Sequence, residues 1–267
     1  MFSFDKEIYG NPAYAGNLPG TNLKAFIYSS KEEASQIGAN RIIYYAKQAA
    51  IRKEKCGIVI PTGNSPLLTY EKLVKEYEGN NEIFKNIDFF SMDEYRHPAK
   101  KYYTYQQNNF IGKIECGAYY IMDAKTSNSN TECLEFQKKI DTTQIVFVLG
   151  GSGVEGHVAF NEGNSFLEVC AHEEILSDST KKANKFDFMN EDFPDTAFTM
   201  GMGTMFRGEA VFYLFGEAKR EPIIKLAEGK ITTKCPLTFL LLHQNAALFL
   251  DEAAGMPLIE TGIVKPC

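Results

Sequence analysis

The feature that most constrains this chain is an alternation of short, unbroken apolar runs with stretches of helical periodicity. Gly57-Ile58-Val59-Ile60, Ile87-Asp88-Phe89-Phe90, Ala118-Tyr119-Tyr120-Ile121-Met122 and Ile145-Val146-Phe147-Val148-Leu149 are such runs, followed by 197–200, 210–215 and 246–250. Helical patterns occupy 31–52, 66–77, 103–111, 132–140 and 218–227. A strand that is apolar on both faces must be covered on both faces, and helices between such strands serve as crossovers. The pattern predicts an α/β fold: an open, doubly wound, Rossmann-like and mostly parallel sheet flanked by helices. Ligands of such sheets bind beyond the carboxyl ends of the strands, so the chemistry is expected in the loops that follow these runs. One domain spanning 1–267 is expected, with the polar connection 163–194 as a candidate lid; a static surface helix pair is the alternative reading of that connection.

Composition narrows the function. With 28 basic and 34 acidic residues, the net charge of −6 argues against nucleic acid as the main partner. No apolar stretch is long enough to span a bilayer, and residues 1–12 lack a basic n-region and an apolar h-region, so a cytoplasmic protein without a membrane partner is expected. The six cysteines show no CxxC pair and no metal-ligand spacing, and read as reduced thiols.

Three loops carry candidate chemistry. Pro61-Thr62-Gly63-Asn64-Ser65-Pro66 joins a strand to a helix. Its glycine permits a tight turn, its side chains offer donors, and the helix behind it presents amides to an anion; it reads as a phosphate cradle or simply as a capped turn. Ser91-Met92-Asp93-Glu94-Tyr95 places two carboxylates at a strand end, as a general base requires or as a solvated or capping loop allows. Gly151, Gly153 and Gly156 form a GxGxxG, but the ionisable group Glu155, His157 and Glu162 surrounds and follows the third glycine, and the motif lies mid-chain. That disfavours a dinucleotide site, although Glu173 stands at the spacing of a ribose-binding acid. An imidazole between carboxylates is expected to be oriented by one of them, with its pKa raised; a packed structural histidine is the alternative. Lys219, after Gly216, falls near a helix start, where a cation is disfavoured unless an anion is bound.

In this order the loops resemble the glucosamine-6-phosphate deaminase/isomerase family from about Ile58 to Glu252, through Pro61-Thr62-Gly63-x-Ser65-Pro66, Met92-Asp93-Glu94-Tyr95, Gly156-His157-Val158-Ala159-Phe160-Asn161-Glu162, Gly201-Met202-Gly203-Thr204, Gly216-x-x-Lys219, Leu242-His243 and Asp251-Glu252. The resemblance implies aldose–ketose isomerisation with deamination of an amino-hexose 6-phosphate, without metal or other cofactor. It implies that Asp93 moves a proton between C2 and C1, and that His157 opens the ring with help from Glu162 and Glu155. Thr62, Gly63, Asn64, Ser65, Lys219 and Lys181 would hold the phosphate, and Glu94 and Gly151 would contact the sugar. This chain has Glu155 where the family has Asp, Lys181 where it has Arg, and His97-Pro98 followed by lysines in the loop after the Asp-Glu pair. The family spans monomers to hexamers, so a homo-oligomer is left open. Galactosamine-6-phosphate deamination, 6-phosphogluconolactonase activity and a non-catalytic sugar-phosphate sensor are the alternatives. Tyr95 and the Phe160-Asn161-Glu162 run favour the deaminase over the lactonase, and no basic helix-turn-helix precedes the first predicted strand.

Overall fold

A computed structural model of the chain describes residues 3–96, 101–163, 167–184 and 193–267. His97 and Pro98, and positions 164–166 and 185–192 of the expected lid, lie outside the described residues. The elements run α1 (Lys6–Tyr9), β1 (Tyr14–Asn17), β2 (Lys24–Tyr28), α2 (Lys31–Arg52), β3 (Cys56–Ile60), α3 (Leu67–Gly79), β4 (Ile87–Ser91), β5 (Asp93–Tyr95), α4 (Lys101–Asn109), β6 (Ala118–Tyr120) and α5 (Ser129–Thr142). They continue with β7 (Ile145–Gly151), β8 (His172–Ile175), α6 (Asp178–Asn184), β9 (Thr196–Thr199), α7 (Met202–Met205), β10 (Glu209–Leu214), α8 (Arg220–Ala227), β11 (Ala246–Asp251), α9 (Glu252–Glu260) and β12 (Lys265–Pro266).

The main sheet has nine strands in the order β12-β1-β2-β11-β10-β7-β3-β4-β6. From β2 to β6 every neighbouring pair is parallel, while β1 and β12 add an antiparallel edge. The doubly wound expectation holds. Alternation within each strand supplies both cores: Ile58, Ile60, Phe147, Leu149, Val211 and Tyr213 pack on one face with Ile42 of α2 and Tyr70 of α3. Val59, Val148, Ala210 and Phe212 pack on the other, with Phe136 of α5, Ile223 of α8 and Leu258 of α9. Burial on both sides makes these strands apolar throughout.

Three features depart from the sequence expectation. The run at 197–200 does not join the parallel sheet; β9 is the centre of a separate three-stranded antiparallel sheet, β5-β9-β8. The β1–β2 hairpin lies ahead of the first strand expected. The described part of 163–194 includes an edge strand, β8, as well as the short helix α6.

Helix α2 starts at Ser30, whose hydroxyl accepts from the Glu33 amide at 3.2 Å, with Glu32 and Glu33 suiting the positive end of the helix dipole. It is locked to β10 by a buried pair: Arg41 Nε and Nη2 donate to the Glu209 carboxylate at 3.0 and 2.5 Å, and Tyr45 Oη donates to the same group at 2.9 Å. Among the described residues no helix is long and apolar enough to cross a membrane.

The strand order fixes where a ligand can enter. From β3 the chain steps outward to β4 and β6, then returns to place β7 on the other side of β3. The reversal opens a crevice at the carboxyl ends of β3 and β7, the loops at 61–66 and 151–157.

Candidate active site

A cleft of about 630 Å³ occupies this crevice. It is walled by the Pro61–Pro66 loop, by Asp93 and Tyr95 of β5, by Lys101, Tyr102 and Tyr105 of α4, by Gly150–Gly153 and His157 after β7, and by Lys219 before α8. Loops far apart in sequence therefore meet because their strands are neighbours in the sheet. Of the candidate residues, Thr62, Gly63, Asn64, Ser65, Asp93, Gly151, His157 and Lys219 line the cleft. Glu94, Glu155, Glu162 and Lys181 do not.

The first loop turns at Gly63, with φ of 85°. Its carbonyls are engaged: Tyr70 Oη donates to the Pro61 carbonyl, Tyr105 Oη donates to that of Gly63, and Gln106 Nε2 donates to that of Pro61 at 3.2 Å. Carbonyl lone pairs that accept these hydrogen bonds are less repulsive to an anion, and the loop is held in one conformation. Helix α3 starts from Pro66, which lines the cleft, and no side chain caps its first amides, so they are left for an anion.

Asp93 and Glu94 are adjacent, yet strand alternation sends them to opposite sides of β5. Asp93 faces the cleft and is buried, and its Oδ1 has no hydrogen-bond partner among the described residues. Burial first, then the neighbouring Glu94 charge, pushes its carboxyl well above the usual carboxylate range. That is the direction a proton carrier needs. Glu94, expected at the sugar, instead accepts from the Tyr95, Tyr102 and Tyr103 amides at 2.9, 3.0 and 2.8 Å. It anchors the start of α4, the helix that carries Tyr102, Tyr105 and Gln106.

His157 sits where only a glycine can face it: a Cβ on Gly153 would lie 2.1 Å from the imidazole Cε1. The glycine-rich turn is thus shaped around a side chain, and Glu173, the candidate ribose acid, is bound to Arg96 at 3.3 Å and to Thr196 Oγ1 at 2.6 Å on the small sheet. The turn is pinned by Ser152 Oγ and the Gly153 amide, which donate to the His157 carbonyl at 2.9 and 3.1 Å. The expectation of a raised imidazole pKa is corrected. Burial lowers it, and that effect exceeds the opposing pull of Glu162, while Lys219 adds to it and Glu155 opposes it. Glu162 Oε2 stands 3.9 Å from His157 Nδ1, beyond hydrogen-bond range. The shift favours the neutral imidazole, the form able to accept a proton.

Lys219 crosses to the same turn and donates to the Ser152 carbonyl at 2.6 Å; desolvation lowers its pKa. The Asp251 carboxylate accepts from the Gly216 amide at 2.9 Å and from that of Ala254 at 2.9 Å, so one group caps α9 and fixes the approach to Lys219. Lys181 on α6 is turned to Asp195, with Nζ–Oδ1 at 2.6 Å. Glu155 accepts from Ser179 Oγ at 2.6 Å.

Sequence reasoning missed Tyr102, Tyr105, Gln106 and Asn184. Tyr102 packs parallel to Phe160 at 5.8 Å, and its hydroxyl meets Thr62 and Tyr95; Asn184 lines the cleft from the end of α6. The Tyr-rich helix 101–109 carried a signal, since aromatic side chains in a polar segment after a strand end point to a concave surface, but their partner loop lies about forty positions away.

No family model matches the chain. It is 34% identical over 210 residues to the glucosamine-6-phosphate deaminase of Haemophilus influenzae, covering 74% of this chain and 77% of that one. It is 32% identical over 244 residues to the glucosamine-6-phosphate deaminase of Treponema denticola, covering 87% and 90%. Among solved structures, a monomeric glucosamine-6-phosphate deaminase superposes with a TM-score of 0.78 at 26% identity, over 87% of this chain and 98% of the other. A 6-phosphogluconolactonase from Trypanosoma cruzi superposes with a TM-score of 0.71 at 16% identity over 88% and 96%, a likeness of fold alone. Identity of this level, sustained over most of both chains, places the cleft and its loops in a known group: the chain belongs to the glucosamine-6-phosphate deaminase family.

Proposed function

We propose that this protein converts glucosamine 6-phosphate and water to fructose 6-phosphate and ammonia, as a cytoplasmic enzyme acting through one domain over 1–267. The observation that carries the reading is the meeting, in one cleft at the sheet's switch point, of Asp93, a buried carboxyl with an oxygen that has no partner among the described residues, and His157, an imidazole whose pKa burial lowers.

The chemistry needs two separate proton carriers. His157 takes the proton of the anomeric hydroxyl and returns it to the ring oxygen, opening the pyranose. Asp93 then removes the proton from C2 and delivers it to C1, turning the 2-amino aldose into a 2-imino ketose. Water adds to the imine carbon, and ammonia leaves. Glu162 and Glu155 support His157 in this scheme. The Thr62–Ser65 loop, with the amides of α3, holds the phosphate with Lys219; Lys181 joins them on leaving Asp195, and Gly151 lies against the sugar. The 163–194 segment is the lid, of which Asn184 already lines the cleft.

The phosphate cradle makes a separable prediction. Tyr105→Phe deletes the hydroxyl that pins the Gly63 carbonyl. Losing about 1 kcal/mol of loop order is worth roughly a fivefold rise in KM. Steady-state kinetics should show that rise with kcat within about twofold, since the loop holds the phosphate before and during the reaction alike.

Ammonia release from glucosamine 6-phosphate and galactosamine 6-phosphate, measured side by side, tests the reaction and its epimer. The reading expects release from the gluco sugar. Release from the galacto sugar alone would move the assignment to the epimer, and release from neither would leave the proposal without its reaction.

A further inference from the structure

Both carboxylates assigned to His157 are engaged from the same direction. Ser177 donates to Glu162 twice, through its amide to Oε1 at 3.3 Å and through Oγ to Oε2 at 3.1 Å. Ser179 Oγ donates to Glu155 Oε2 at 2.6 Å. The two serine oxygens lie 3.0 Å apart. Each hydroxyl has one proton, offered to its carboxylate or to the other serine, and either serine can be the donor in the contact between them.

The same oxygen of Ser177 also accepts from the Thr180 amide at 3.2 Å. Ser177 is therefore the cap of α6, the helix that carries Lys181 and Asn184. Glu162 Oε2, the oxygen nearest His157 Nδ1, is the one held by the serine hydroxyl. A carboxylate accepting that hydrogen bond has less to gain from closing on the imidazole.

We propose that Ser177 and Ser179 are positioning residues: their hydroxyls hold Glu162 and Glu155 off His157 and tie that hold to the placement of α6. A movement of α6 that brings Lys181 from Asp195 toward a bound phosphate then also releases Glu162 to the imidazole, so that substrate capture and readiness of the ring-opening base are one event. The enzymatic meaning rests on the deaminase reading above; the coupling of the serines to His157 does not.

The groups facing His157 are Glu162, Lys219 and Glu155, with Asp93 and Lys101 across the cleft and Lys181 on α6 engaged by Asp195. The variants leave all of these charges in place. Ser179→Ala removes one hydroxyl without touching the cap. Ser177→Gly removes the other, keeps the amide bond to Glu162, and leaves a residue that caps helices nearly as well. Ser177→Thr restores the hydroxyl.

The test is an NMR titration of the His157 ring in histidine-labelled protein without substrate, assigned with His157→Asn. In Ser177→Gly and Ser179→Ala the freed carboxylates approach Nδ1 and favour the imidazolium, and the midpoint should rise by about half a pH unit or more. Ser177→Thr should return it to the wild-type value. Midpoints unchanged in Ser177→Gly and Ser179→Ala, or a Ser177→Thr midpoint as far displaced as that of Ser177→Gly, would overturn the proposal. Because no turnover is involved, the titration decides the coupling even if the ammonia assay goes against the deaminase reading. Where turnover is present, the acid limb of the kcat profile should move upward with the midpoint.

Discussion

Asp93→Asn is expected to lower kcat by about 10²- to 10⁴-fold, the range for removing a general acid–base group from a reacting carbon. The effect should fall on kcat far more than on KM. Asp93 lies on β5 facing the cleft, while the Pro61–Pro66 loop and Lys219 form other walls of it, so phosphate recognition survives the change. Stability should survive too. The carboxyl is buried, pushed toward its neutral form, and has an oxygen without a partner among the described residues; an amide of the same shape carries no charge to desolvate. The check is steady-state kinetics beside a thermal melt. A kcat within about fivefold of wild type would remove Asp93 from the role of carbon base.

The second large effect concerns the scaffold. Glu209→Ala should destabilise the fold by about 3–5 kcal/mol, because the Arg41 guanidinium would remain buried beside Tyr44 and Tyr45 with its charge uncompensated. Attraction within an intact buried pair is largely offset by desolvation of both ions, so the loss is the cost of stranding one ion and does not measure the net worth of the pair. The double variant Arg41→Met/Glu209→Leu removes both charges and should recover most of the loss. Urea unfolding of the two variants separates these outcomes. The site lies at the amino-terminal end of β10, opposite the cleft, so kcat of the folded fraction should be unaffected.

The sheet was legible for a physical reason. Strands buried on both faces, such as β3 and β7, have no room for polar residues and stand out as unbroken runs. The β1 strand Tyr-Ala-Gly-Asn has no such run, and its pairing comes from β2 and β12 at opposite ends of the chain. The edge strand β8, His-Glu-Glu-Ile, is polar because its side chains are only partly buried; its partner β9 and the packing of α5 define it.

The site was legible where a residue's role follows from its loop, and obscure where it follows from a partner. Adjacent carboxylates suggested that Asp93 and Glu94 both reach the substrate, one as base and one as a sugar contact, but alternation across β5 sends one to the cleft and the other to the α4 amides. Carboxylates near His157 suggested a raised pKa, whereas burial dominates, and Glu162 and Glu155 accept hydrogen bonds from Ser177 and Ser179. Lys181 was readable as a cation in the lid segment; its engagement by Asp195 was not.

The products of the reaction decide the function. Purified protein incubated with glucosamine 6-phosphate should yield ammonia and fructose 6-phosphate in equal amounts, with the rates of both falling together in Asp93→Asn. Fructose 6-phosphate without ammonia is chemically excluded for this substrate, and binding of the sugar phosphate with neither product formed would contradict the central claim.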